Sequence, residues 1–591
     1  MKKKIQQERS QDLYEILDAY PQAPYPRIAD IHDPESYLDI GFRPGTYRYH
    51  LLKLAFRATG FLSFYQTLPE SLSVIRRKKN MRIQGLFAPA LSATIALLDD
   101  PKKQTPLRRA ASLVWAAFEL YDDMMTGKLA PDRYGDHIFE MGLYPNLFST
   151  SLKVGKGRVR LQKFNANFKI NVLVRRQFYV LELLHNEKLL SYEEIYYALQ
   201  MVVDNSAIAA RKNNDLSIGL ITASNNATQF KAFKALLKDK TSKASVEALN
   251  RSFITLCFDI DSEPATYSEA AYLAHNTNHG NRWYHSATQL VVFGNGKSSV
   301  IFNFTAYIDG ITMSRAGYEL YHRAHRLPVL NTQQRNRRYS YQQLHWKFPE
   351  KYLRPIQKDI CLVSDNQQAI FQIDNLGGDF FNKHEMAAIP SFVLALQMTV
   401  KEYTGDYKKI QQFVSMAKYC CISLLTTIVT TKEVVEFCER IDVAHVENSE
   451  KLNLLVKANE SQIEAIRKAR KELPLDVLFF YHLHSKNGLN KLFTNLIIRI
   501  LSLLQGKKRL FKLKEREIVI SHPGAIMEVP VLGRPGIRFP YVKYFSLHYQ
   551  MMNDKIVITM MPSPRLFIPN VEFIHSLTKN LNKIKSIIEA A

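Results

Sequence analysis

The stretch His279–Gly310, HGNRWYHSATQLVVFGNGKSSVIFNFTAYIDG, is the one whose reading decides the fold. Thr288–Phe293 (TQLVVF) is a β-branched and aromatic run that predicts a buried strand. Asn295-Gly296 is a hairpin signal, Ser299–Tyr307 predicts the returning strand, and Asp309-Gly310 predicts a closing turn. In words, the pattern runs Asn-Arg-Trp-aromatic, strand, Asn-Gly turn, strand, Asp-Gly.

Around this stretch lies a chain of 591 residues, long enough for more than one hydrophobic core. Hydrophobic residues make up 46% and charged residues 23%, the balance of a soluble globular protein. The net charge of +24 departs from that ordinary picture and predicts attraction to polyanions. Phosphate-rich cofactors, acidic membrane surfaces, acidic carrier proteins and nucleic acid all qualify, as does a basic surface with no specific partner. No nucleic-acid-binding motif accompanies the charge, so specific nucleic-acid recognition is not expected.

Five cysteines (Cys257, Cys361, Cys420, Cys421, Cys438) are few, odd in number and without metal-ligand spacing. They argue against a disulfide framework or a zinc site and for a reducing compartment. The opening, MKKKIQQERSQDLYEIL, places Glu8, Asp12 and Glu15 where a signal peptide needs an apolar segment, so a cytoplasmic location is expected. No apolar run reaches the ~18 residues that span a bilayer. Leu492–Leu504 (LFTNLIIRILSLL) comes nearest, interrupted by Arg499 and followed by Lys507, Lys508 and Arg509. It reads as a core helix with a solvated end, or as a basic amphipathic helix making peripheral membrane contact.

Along the chain, Pro21, Pro24, Pro26 and Pro44 make residues 1 to about 45 an extended lead-in. Arg108–Met125 (RRAASLVWAAFELYDDMM) is an amphipathic helix with Leu113, Ala116, Ala117 and Leu120 at core spacing. Asn167–Leu184 alternates as a pair of strands should. No internal repeat or low-complexity segment is present.

The His279–Gly310 pattern resembles the active-site signature of the choline/carnitine O-acyltransferase family. Further segments match that family in order: Tyr144–Thr150 (YPNLFST), Ile218–Ala227 (IGLITASNNA), Ser252–Asp261 (SFITLCFDID) and Leu344–Pro349 (LHWKFP). The resemblance extends from about Arg108 to Pro562. It implies an α/β fold of two chloramphenicol-acetyltransferase-like domains, each a mostly antiparallel sheet with helices packed against it. A tunnel between them admits coenzyme A from one side and the acyl acceptor from the other, where hydroxyl and thioester meet at one base with water excluded. The implied division is residues 1–90 packing on the C-terminal half, 91–385 as the N-terminal domain and 386–591 as the C-terminal domain, in a monomer.

The family's general base is a histidine four residues before the aspartate of the signature. Counted from Asp309 its position is Thr305; counted from Asn295-Gly296 it is Phe304, because this chain has one extra residue between the anchors. Neither side chain accepts a proton at neutral pH. Asp309, an architectural residue in the family, is retained. His285 and His279 could stand in for the base, though both read more readily as ordinary turn or surface histidines, and His522, adjacent to Ser521, is a third candidate.

In the acceptor pocket the resemblance puts Tyr419 on the family's tyrosine. Leu424 and Leu425 stand where a threonine and an arginine hold the carnitine carboxylate, and Thr431-Lys432-Glu433 replaces Arg-Thr-Glu, keeping Glu433. A leucine pair cannot neutralise a carboxylate. Ser521 is what survives of the family's Ser-Thr-Ser hydroxyl ladder. Gly377, Gly378 and Lys383 fall where glycine-flanked lysines bind the coenzyme A 3′-phosphate; a glycine turn before a helix reads as well. Asp476 alone matches the family's Asp-Arg-His-Leu. The expected ligand is coenzyme A or acyl-CoA, with an acyl carrier or a protein partner also possible, and no metal or tightly bound cofactor. The expected function is a family member impaired or inactive towards carnitine that binds an acyl thioester, carrier or protein partner. The alternative is an acyltransferase acting on another acceptor.

Overall fold

The computed structural model of the chain describes residues 31–32, 38–39, 80–81, 92–102, 105–134, 137–138, 141–156, 158–212, 216–303, 308, 310–330, 339–364, 369–415, 424–471, 473–474, 512–513, 516–522, 531–532, 542–562 and 570–590. The strands form two large mixed sheets, mostly antiparallel and flanked by helices. The first is built from β1 (Ser92–Ala96), β2 (Lys169–Val174), β3 (Gln177–Glu182), β4 (Thr255–Asp259), β5 (Thr288–Phe293), β6 (Ser298–Asn303) and β7 (Tyr341–Gln343). The second contains β8 (Ala369–Asp374), β9 (Ile410–Ser415), β10 (Leu424–Ile428), β11 (Arg516–Ser521), β13 (Val542–Met551) and β14 (Lys555–Pro562). The short strand β12 (Val531–Leu532) leaves that order and joins the edge of the first sheet, opposite Ile95 and Thr94 of β1.

The two sheets repeat one topology. Taking each sheet's six principal strands in chain order, both run 3-2-4-5-6-1 in space. Strand 4 is parallel to both its neighbours and the remaining pairs are antiparallel. The helices follow suit. In the first half α1 (Pro106–Met125) packs on α7 (Gly310–Arg326); in the second α10 (Ala388–Thr404) packs on α13 (Asn570–Glu589). Each pair joins the helix after strand 1 to the helix after strand 6.

Helix α1 starts where its capping chemistry dictates. The Thr105 hydroxyl accepts from the Arg108 N–H and Pro106 fills the first turn, two residues before the basic pair that opens the amphipathic pattern. Leu113, Ala116, Ala117 and Leu120 are buried as their spacing predicts.

The first sheet is covered on both faces, which explains the consecutive apolar residues Leu290–Phe293 of β5. Leu290 and Val292 join one core with α1, α2 (Tyr192–Lys212) and α7. Val291 and Phe293 join another with α3 (Gly219–Ala223), α4 (Asn226–Leu236), α5 (Lys240–Asn250) and α6 (Tyr267–Asn276). In the second sheet Ile518, Ile520, Phe545, Leu547, Tyr549, Ile556, Ile558 and Met560 pack under helices. The alternate residues Ser546, His548, Gln550 and Thr559 form an opposite face that is polar and nonetheless buried.

Helix α6 links the halves: the Tyr267 hydroxyl donates to Gln372 Oε1 at 2.9 Å, and the Ile370 N–H of β8 donates to Ser268 Oγ at 3.2 Å. Ile31–His32 pairs with Leu473–Pro474, and Leu38–Asp39 with Lys512–Leu513. No described helix is long and apolar enough to cross a membrane. Leu492–Leu504 lies outside the described residues.

Candidate functional site

The conspicuous sequence segments, far apart in the chain, converge on the loop that delivers β5. Arg282 is fully buried and clasps Asp259 at the end of β4 with both terminal nitrogens, Nη1 to Oδ1 at 3.0 Å and Nη2 to Oδ2 at 2.6 Å. Its Nε donates to the Ala274 carbonyl of α6. Burial alone would lower the guanidinium pKa, but the Asp259 carboxylate and its hydrogen bonds outweigh that and raise it. Asn281 donates from Nδ2 to Phe258 O and Asp259 Oδ1. Its Oδ1 accepts from the Arg176 N–H, in the β2–β3 turn where Arg175 and Arg176 both have positive φ (49° and 62°). This side-chain contact helps hold a turn that non-glycine residues adopt at a cost.

Helix α3 docks on the same loop. A Cβ on Gly219 would lie 2.6 Å from Arg282 O and 2.8 Å from Gly280 O, so only glycine admits the approach. Thr222 Oγ1, three residues on, accepts from the Tyr284 N–H at 3.2 Å. Trp283 N–H donates to Gln289 Oε1, and Thr288 Oγ1 donates to the Leu147 carbonyl of the Tyr144–Thr150 segment. Asn303, the last residue of β6, donates from Nδ2 to Tyr284 O at 2.5 Å and so ties the outgoing strand to the incoming loop. Phe304, Thr305 and Asp309 lie outside the described residues, as does Tyr419. The returning strand is described only as far as Asn303, five residues after its start at Ser298.

A family model for choline/carnitine O-acyltransferases matches residues 82–497, a span that contains this whole scaffold. The chain belongs to the choline/carnitine O-acyltransferase family. It is 24% identical to human carnitine O-acetyltransferase over 220 residues, 34% of this chain and 34% of that protein. With pigeon (Columba livia) carnitine O-acetyltransferase it shares 22% identity over 393 residues, 62% of this chain and 60% of the relative. The matches thus span from about a third to three fifths of these relatives' length. Among solved structures, the epimerization domain of tyrocidine synthetase B has a TM-score of 0.34 at 10% identity, covering 85% of this chain and 93% of that one.

Within the acyltransferase framework the histidines occupy different settings. His285 is buried against Phe233 and Trp283, and burial pushes its pKa down to about 3. Gln229 spends its Nε2 on the Thr222 and Ser224 carbonyls, leaving Oε1 to accept from His285 Nε2 at 3.2 Å; that nitrogen therefore carries a proton and is a donor. His279 pairs through Nδ1 with the Tyr284 hydroxyl at 2.9 Å, and burial followed by the Arg282 charge pushes its pKa down to about 4. His522 lies against the Tyr549 ring, with burial pushing it down to about 4.

Ser521 closes β11, and its Oγ lies 2.8 Å from Nδ1 of His548, its register partner on β13. His548 escaped the sequence reading. The signal was present: VKYFSLHYQM alternates, and its polar set Ser546, His548 and Gln550 marks one face of the strand.

The glycines expected at a phosphate site have a packing reason of their own. A Cβ on Gly377 would meet Asn553 O at 2.2 Å and Lys555 N at 2.4 Å. The Gly378 and Asp379 N–H groups at the start of α9 (Gly378–Lys383) donate to Met552 O and Asn553 O in the β13–β14 turn. Lys383 is exposed at the other end of that helix. Glu433 is half-buried in the first turn of α11 (Lys432–Arg440), capped by the Thr431 hydroxyl. Leu424 and Leu425 occupy β10, opposite Ser415 and Val414, and their side chains lie outside the described set. Among the described residues no group of acidic, histidine or cysteine side chains has metal-site geometry. Cys257 and Cys438 are buried free thiols and Cys361 is exposed.

Proposed function

We propose that this chain binds an acyl thioester, coenzyme A-linked or carrier-linked, in the family's manner and does not transfer the acyl group to carnitine. The observation that carries the reading is the double replacement at the family's reactive positions. Phe304 and Thr305 stand where the base histidine belongs, and Leu424-Leu425 where the carboxylate clamp belongs. Losing a general base typically costs about 10²–10⁴-fold in rate. Losing the clamp removes the charge-assisted pair that holds a carboxylate. The Arg282–Asp259 pair in the loop before β5 is intact, which supports a fold kept while the chemistry changes.

The same reading divides the chain near residues 350–390 and packs the first ~90 residues on the C-terminal half. Pairing of residues 31–32 and 38–39 with 473–474 and 512–513 supports that packing for the lead-in, whereas residues 80–81 pair with 159–160 in the first half. We place the protein in the cytoplasm as a monomer, with Lys383 as the lysine facing the coenzyme A 3′-phosphate. The test is calorimetric titration with coenzyme A and acyl-CoAs of several lengths, followed by thiol release in the presence of carnitine, choline and simple amines. Acyl-CoA binding without carnitine-dependent release is the expected result; carnitine-dependent turnover would overturn the reading. Release with an amine or another acceptor would favour the second reading, an acyltransferase with a different acceptor, for which the Ser521–His548 contact speaks.

A further inference from the structure

The polar face of the second sheet carries a row of three side chains from neighbouring strands: Ser521 on β11, His548 on β13 and Thr559 on β14. Strand alternation puts them on the side away from the helix-covered core, since their neighbours Ile520, Leu547, Tyr549, Ile558 and Met560 belong to that core. Ser521 is half-buried at the C-terminal end of a central parallel strand, the end at which open α/β sheets place ligands. Its Oγ is 2.8 Å from His548 Nδ1, the separation of a nucleophile and its base. Thr559 is 1% exposed, and its hydroxyl has no hydrogen-bond partner among the described residues.

We propose that Ser521 and His548 form a nucleophile–base pair that takes the acyl group of a thioester onto Ser521 Oγ. The proposal rests on the acyl-thioester reading above and names the residues by which chemistry persists without the family's histidine. In the first step Oγ attacks the carbonyl carbon and its proton passes to His548 Nδ1. The C–O bond forms, the C–S bond breaks, and the thiolate leaves, taking the proton from Nδ1 as free thiol. In the second step an acceptor hydroxyl or amine gives its proton to Nδ1 and attacks the acyl-serine carbonyl; the serine oxygen leaves and recovers that proton. No oxidant, metal or further co-reactant enters the balance.

The experiment mixes the full chain with acetyl-CoA and, separately, with p-nitrophenyl acetate, quenches in acid, and locates the acetyl group by peptide mass mapping. Calorimetry measures acetyl-CoA binding in parallel. An adduct on Ser521 is expected with both donors, accompanied by a stoichiometric burst of thiol or nitrophenol. Ser521→Ala removes it, and His548→Gln slows its formation about 10²–10⁴-fold. Thermal midpoints and circular dichroism establish that the variants are folded, and a merely structural polar pair would produce no adduct at all. Acetyl-CoA binding with no adduct from either donor overturns the pair and leaves the thioester reading standing. An adduct from the nitrophenyl ester without acetyl-CoA binding upholds the pair and overturns the thioester reading. Labelling of Ser521→Ala at the wild-type rate, or neither binding nor label, overturns the proposal.

Discussion

Asp259→Ala is the substitution that puts the motif scaffold to its hardest test. Asp259 Oδ2 accepts from Arg282 Nη2 at 2.6 Å; Oδ1 accepts from Arg282 Nη1 at 3.0 Å, Asn281 Nδ2 at 2.9 Å and Asn278 Nδ2 at 2.7 Å. Removing the carboxylate leaves a guanidinium whose side chain is 0% exposed, with the Ala274 and Asn281 carbonyls and the Cys257 thiol as its partners among the described residues. An uncompensated buried charge costs about 3–5 kcal/mol, more than the hydrogen bonds alone would suggest. Asp259→Leu combined with Arg282→Met removes both charges and should recover about 2 kcal/mol or more of that loss. The assay is urea unfolding followed by tryptophan fluorescence, because Trp115, Trp283 and Trp346 all pack around the first sheet and report on that half alone. A cost below about 1 kcal/mol for Asp259→Ala, or a double variant no more stable than the single one, would refute the role given to the pair.

Other consequences are as concrete. His279, His285 and His522 are held neutral at pKa values near 4, 3 and 4, against about 6.5 in an unfolded chain. The unfolded state then binds the extra protons, so stability is intact above about pH 6.5 and falls as pH drops towards 4, by about 1.4 kcal/mol per pH unit for each histidine. His285→Gln should flatten that slope by one proton's worth, seen in urea midpoints measured from pH 7 to 4.5; an unchanged slope would contradict it. Gly219→Ala should destabilise the first half by about 1–3 kcal/mol, since its Cβ meets backbone oxygens that cannot swing away. Wild-type stability of that variant would show the docking of α3 to be looser than its geometry. Lys383→Ala should weaken coenzyme A up to about fivefold, the modest effect of an exposed charge, and leave 3′-dephospho-coenzyme A unchanged. Equal weakening of both ligands would remove Lys383 from phosphate recognition.

Much of the molecule follows from the sequence alone. Thr288–Phe293 is a strand with the predicted bounds, because the consecutive apolar residues Leu290–Phe293 suit a strand buried on both faces. The helix beginning at Pro106 ends at Met125 as read. The order of motifs carried the family resemblance before any strand was placed, and the proposed loss of base and clamp rests on Phe304, Thr305, Leu424 and Leu425 as letters. Local signals suffice for these features, since capping, alternation and spacing act over a few residues.

Tertiary structure decided the rest. Sequence shows no internal repeat, yet the two sheets share the order 3-2-4-5-6-1, because topology depends on which strands pair and not on which apolar residues they use. Asp259, Gly219 and Arg176 act on Asn281 and Arg282 from 22 to 105 positions away, contacts that no local pattern encodes. Ser521 and His548 are separated by 27 residues and meet only because β11 and β13 lie side by side in register. Alternation along β13 marked His548 as one of a polar set; only the parallel pairing gave that set a serine to act upon.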